Sequence, residues 1–130
     1  MVAAKKRKKK SRVSNGVKAI TIYLETNNIR FKKEHRFKEC RDKLPLPFDF
    51  AILKYKEIVA VIEYNGVQHY KSVRRWKGKK GLIKQQLHDL IKVDYCKTNT
   101  IPFLVISYEE EENITELLQV FLLSIGYHTK

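Results

Sequence analysis

The sequence of 130 residues predicts an α/β fold, a mixed β-sheet flanked by helices in the order αβββαβα. Three observations carry this. Helical spacing of apolar residues appears near the start, after the midpoint and at the end. Two strongly apolar strand candidates sit in the middle, joined by a short connection. A further apolar strand candidate separates the last two helices.

Ser14 or Asn15 can cap the first helix, which runs to about Asn27. Val17, Ile20 and Leu24 form its apolar stripe, with Tyr23 beside them. Ile29, Phe31 and Phe37 then suggest an extended segment whose alternate face is charged. Leu46 to Lys54 alternates, with Phe48, Phe50 and Ile52 expected on one side and Asp49, Ala51 and Leu53 on the other. Tyr55–Lys56–Glu57 is short enough for a hairpin connection. Ile58 to Glu63 is almost continuously apolar, as in a strand covered on both faces.

A basic stretch without periodicity, Tyr70 to Lys80, reads as a loop bracketed by Gly66, Gly78 and Gly81. A long helix follows from Leu82 to about Asn99, expected to bury Leu87, Leu90, Ile91, Tyr95 and Cys96 and to stop at Asn99. Ile101 to Ser107 is the last strand candidate. Asn113 is the expected cap of a final helix carrying Leu117, Leu118, Phe121, Leu122 and Ile125.

Composition narrows the function. At 43% hydrophobic residues, one domain can bury a core without disulfides or structural metals. Cys40 and Cys96 are too few for a disulfide scaffold and read as reduced thiols of an intracellular protein, cytoplasmic, or nuclear in a eukaryote. No apolar run approaches the ~20 residues of a membrane span, and none follows the basic start as in a secretory signal. Neither a phosphate-cradling glycine motif nor a Cys/His set with zinc spacing is present.

Lys and Arg number 27 against 14 acids, a net charge of +13, which implies a polyanionic partner. Residues 1–13 form a low-complexity basic arm, expected to be disordered alone, and residues 14–130 form the domain. The arm holds Lys5, Lys6, Arg7, Lys8, Lys9, Lys10 and Arg12; without them 20 bases still face 14 acids. Nucleic acid suits this clustering better than a membrane, because no basic amphipathic helix stands out.

Asp49 interrupts an apolar strand and Glu63 closes another. Carboxylates there are costly unless compensated. On paired strands they would repel and raise each other's pKa unless a cation lay between them. Mg²⁺ is the natural choice, being hard and oxygen-seeking, with Mn²⁺ able to substitute. The plainer alternative is two solvent-facing strand ends paired with lysines.

Phe48-Asp49-Phe50, then Glu63-Tyr64-Asn65-Gly66-Val67-Gln68-His69, then Asp89, Lys92, Tyr95 and Cys96 before an apolar strand together resemble the PD-(D/E)XK nuclease superfamily. The resemblance covers roughly residues 15–125. Within that superfamily it is nearest the very-short-patch repair endonucleases and related phage and intron homing endonucleases. It implies a restriction-endonuclease-like core and a Mg²⁺-dependent DNA endonuclease, cutting or nicking with sequence preference. Asp49 matches the first acid and Glu63 the second, with the Tyr64 carbonyl as a third metal ligand. Asn65 stands where the superfamily usually has its lysine.

Gln68, His69 or a lysine from elsewhere, Lys92 among them, must then serve the attacking water; Gln68 and His69 are preferred. The repair-endonuclease branch uses histidine as general base with a supporting acid, which points to His69 and Asp89. Glu34 is the preferred additional acid over Glu25. For DNA contact, Lys71, Arg74, Arg75, Lys77, Lys79 and Lys80 would neutralise phosphates, and Trp76 could stack on a base or anchor the loop. A structure-selective junction resolvase and a non-catalytic DNA-binding protein on the same fold are the alternatives. A homodimer stays open.

Overall fold

The computed structural model describes residues 14–71 and 78–128, apart from the side chain of Gln68. Helix α1 (Asn15–Thr26) is followed by strands β1 (Phe31–Arg41), β2 (Pro45–Lys54) and β3 (Glu57–Asn65). Helix α2 (Gly78–Thr98), strand β4 (Phe103–Ser107) and helix α3 (Ile114–Ser124) complete the chain, so the order is the expected αβββαβα. Short 3-10 turns occupy Val67–His69 and Tyr108–Asn113. Among the described residues, no helix is long and apolar enough to cross a membrane.

The sheet is mixed, in the order β1-β2-β3-β4. β1, β2 and β3 form an antiparallel meander, whereas β4 runs parallel to β3. A parallel return needs a long crossover, and α2 supplies it. Ser14 caps α1, its hydroxyl accepting from the Val17 amide at 3.1 Å. Tyr55 and Lys56 turn the β2–β3 hairpin with positive φ values of 60° and 129°.

Side-chain alternation sorts the core onto the two faces of the sheet. Ala60, Ile62 and Tyr64 of β3 pack with α1 (Ile20, Leu24) and α3 (Leu118, Leu122). Val61 faces the other way, toward Cys40, Phe48, Ala51 and Cys96, under the C-terminal half of α2. The helices therefore cover both faces.

Four expectations need correction. Phe48 and Phe50 do not share a face: Phe50 joins the α1/α3 cluster and Phe48 the α2 cluster. The regular pleat is interrupted between them, at Asp49, opposite a β1 residue, Glu34, with φ of 51°. Leu87 and Leu90 are not buried, at 48% and 67% exposure. The sheet-facing side of α2 instead carries Gln85, His88, Asp89, Lys92 and Cys96, spaced as one helix face. Lys79, Lys80 and Gly81 belong to the first turns of α2 and not to a loop, since helix begins at Gly78. Finally, Asn113 occupies the expected N-cap position of α3 but makes no side-chain cap bond. The capping box lies earlier, between Ser107 and Glu110.

At the end of α2, Asn99 donates its side-chain amide to the Tyr95 carbonyl at 2.9 Å, while Thr100 takes the positive φ of 54°. The stop expected at Asn99 is thus shared by two residues.

Candidate active site

β2 and β3 pair with Phe50 opposite Ile62 and Ala51 opposite Val61. One step further along that register, Asp49 faces Glu63, and side chains replace the backbone ladder. The Asp49 amide donates to Glu63 Oε1 at 2.8 Å, and the Tyr64 amide donates to Asp49 Oδ2 at 2.7 Å. Each carboxylate therefore satisfies a backbone donor of the opposite strand, which fixes both acids where the β2–β3 ladder ends.

Lys92 reaches the same place from α2. Its ammonium donates to Glu63 Oε2, with both side chains buried, and lies 5.3 Å from the centre of the Phe48 ring. Burial and then the charge of Asp49 push the Glu63 carboxyl up to about 7, with Lys92 opposing them. Burial also raises Asp49, while the Tyr64 amide and Lys92 hold it down. One lysine thus offsets only part of the cost of two carboxylates.

His69 follows on the 3-10 turn after β3 and is buried. Its Nδ1 lies 2.9 Å from Asp89 Oδ2, and Gln85 donates to Asp89 Oδ1 at 3.3 Å. His88 pairs with Asp42 at 2.9 Å. Asp49, Glu63, His69, Gln85, His88 and Lys92 line one cleft of about 480 Å³. A larger hollow of about 630 Å³ between α3 and β4 is mainly apolar and does not hold this chemistry.

Gly16 of α1 supports the cleft from the opposite face. A Cβ there would lie 2.2 Å from the Tyr64 ring, so only glycine lets the helix approach that closely. The Tyr64 hydroxyl donates to Glu111, which anchors the ring at its far end.

Of the residues singled out from sequence, Asp49, Glu63, Tyr64, His69, Asp89 and Lys92 converge here. Glu34 is exposed on β1 but shares a small recess with Ser14, Val17, Lys33 and Asp49, and its charge raises the Asp49 carboxyl. Asn65 is buried, with Nδ2 3.4 Å from the Tyr70 hydroxyl and Oδ1 without a partner among the described residues. Lys71, Lys79 and Lys80 are exposed. The side chain of Gln68 and residues Arg74, Arg75, Trp76 and Lys77 lie outside the described residues. Gln85 and His88 were not expected. Their signal is the 85/88/89/92 spacing, a polar helix face that continues into buried Cys96.

No group of three or more His, Cys, Asp or Glu side chains poised around a metal occurs among the described residues. The donor set nevertheless fits a hard divalent cation that takes two protein carboxylates. Asp49 Oδ1 accepts no hydrogen bond among the described residues, and burial, then the charge of Asp49, raises the Glu63 carboxyl. The chain matches no protein-family model, no curated protein and no solved structure.

Proposed function

We propose that this chain is a Mg²⁺-dependent DNA endonuclease on a PD-(D/E)XK, restriction-endonuclease-like core. The observation that carries the reading is the meeting of Asp49, Glu63 and Lys92 where the β2–β3 ladder ends, just past the Phe50–Ile62 pair. It supplies two acids and a lysine ammonium, although Asn65 occupies the usual lysine position. Lys92 comes from a helix instead of the strand, and still contacts the second acid.

Asp49 and Glu63, with the Tyr64 carbonyl, would hold Mg²⁺, or Mn²⁺ in its place. When bound, the ion supplies charge against the phosphate and eases deprotonation of water. Lys92 adds a second positive charge at the developing pentavalent phosphate and keeps Glu63 oriented. His69 is the group placed to move a proton. With Nδ1 held by Asp89, its Nε2 is the nitrogen left for exchange with water or the leaving oxygen. Glu34, beside Asp49, is a subsidiary acid that would tune the first carboxylate.

The substrate follows from charge. A chain of +13 with basic residues in its arm and around Lys71, Lys79 and Lys80 suits a phosphate backbone. Incubation with supercoiled plasmid, four-way junction and flap DNA, each with Mg²⁺ or EDTA, tests the reading. Mg²⁺-dependent products on plasmid are expected. Paired nicks confined to junctions would move the assignment to a resolvase, and binding without cutting on every substrate would overturn catalysis.

A further inference from the structure

The exposed side of α2 carries a second pattern that the cleft does not use. Lys80, Ile83, Leu87, Leu90 and Asp94 recur at alternating steps of three and four, the spacing of a two-helix packing seam. The three apolar members are open to solvent, at 67%, 48% and 67% exposure. They lie far around the helix from Lys92 and Cys96, so the domain's own core does not explain them.

The charged ends of the stripe identify the partner. Lys80 and Asp94 are both exposed, neither forms an ion pair among the described residues, and both stand seven positions from Leu87. A parallel pair of α2 helices would set Lys80 against Lys80 and Asp94 against Asp94. An antiparallel pair centred on Leu87 sets each lysine beside the other copy's aspartate and closes with two-fold symmetry. The basic arm is a weaker match: its apolar residues (Met1, Val2, Ala3, Ala4 and Val13) flank a run of seven bases that carries no acid to meet Lys80. We propose that this stripe is a self-association seam, through which two copies of the chain pack α2 against α2 antiparallel about Leu87.

Two copies joined there would keep both clefts free, because the cleft residues occupy a different side of α2. The inference stands apart from the nuclease reading and survives its failure. Three apolar residues make a short seam, so the dimer is expected to be weak and concentration-dependent.

Sedimentation of the full chain without DNA, from low concentration to about 100 μM, should show a monomer–dimer equilibrium. Leu87→Glu should abolish it, and Lys80→Glu and Asp94→Lys should each weaken it by about tenfold or more. Mixing those two single variants should restore a mixed dimer, since opposite charges then meet at both ends. As a second readout, Leu87→Cys should give a disulfide-linked dimer when diamide oxidises the two thiols. Ile22→Cys, at a more exposed position on α1, should give far less. A strictly monomeric chain with no Leu87→Cys excess over Ile22→Cys would overturn the proposal. So would a dimer unaffected by Leu87→Glu, or association that appears only after residues 1–12 are removed.

Discussion

Lys92 of α2 and Glu63 of β3, 29 positions apart in the chain, form a buried ion pair inside the cleft. The pair joins the crossover helix to the strand end that carries the second acid. It also explains how a carboxylate ending an apolar strand is tolerated: its oxygens meet the Asp49 amide and the Lys92 ammonium.

Removing that ammonium should have a pH-dependent cost. In metal-free protein the folded Glu63 carboxyl sits at about 7 against 4.5 in the ordinary case. A raised acid binds its proton more tightly when folded, so this group's favourable contribution is complete below 4.5 and is lost as pH rises through 7. Lys92→Met raises Glu63 further. Urea unfolding in EDTA should therefore show a small loss near pH 5 and one on the order of 3–5 kcal/mol at about pH 8. Equal losses at both pH values would show that the lysine acts through packing alone.

The His69–Asp89 contact predicts a graded kinetic series. His69→Ala should slow cleavage by roughly 10²–10⁴-fold at saturating DNA and Mg²⁺. Asp89→Asn should fall between that variant and the parent, because the imidazole remains but loses its carboxylate partner. The check is a single-turnover rate across pH. Full activity of His69→Ala throughout would remove His69 from proton transfer.

Gly16 and Tyr64 predict a defect transmitted from outside the cleft. Gly16→Ala forces a methyl against the Tyr64 ring, displacing the residue next to Glu63. A loss of about 1–3 kcal/mol is expected in thermal or urea unfolding, accompanied by slower cleavage. Unchanged stability would mean that α1 shifts freely, contrary to its tight approach.

Much of this was legible in the sequence because local pattern and global fold agree. The apolar run before Glu63 and the short Tyr55–Lys56 turn specify a hairpin, and the hairpin brings Asp49 beside Glu63. The face of α2 was harder to read. Ile83, Leu87 and Leu90 point away from the sheet, while Gln85, Asp89 and Lys92 point inward beside Ile91 and Cys96. Hydrophobic periodicity places Ile91, Tyr95 and Cys96 on the packed side and misplaces Leu87 and Leu90, because polar residues of the cleft take the rest of that face. The same override separates Phe48 from Phe50: the carboxylate exchange around Asp49 interrupts a pleat that the alternation alone would continue.

Residues 1–12 should contribute affinity without chemistry. Deleting them removes seven bases, so DNA binding should weaken and the slope of log K against log salt should flatten by up to about six. Titrations at several salt concentrations, paired with cleavage rates at saturating DNA, separate the two effects. An unchanged slope would exclude the arm from phosphate contact.

Asp49 and Glu63 are proposed to form a metal-holding carboxylate pair for phosphodiester cleavage. The direct measurement is Mg²⁺-dependent plasmid cleavage by the parent, Asp49→Asn and Glu63→Gln, with DNA binding measured on the same preparations in EDTA. Cutting by the parent alone is expected, with comparable DNA binding by all three. Cleavage retained in either variant, or insensitive to EDTA, would contradict it.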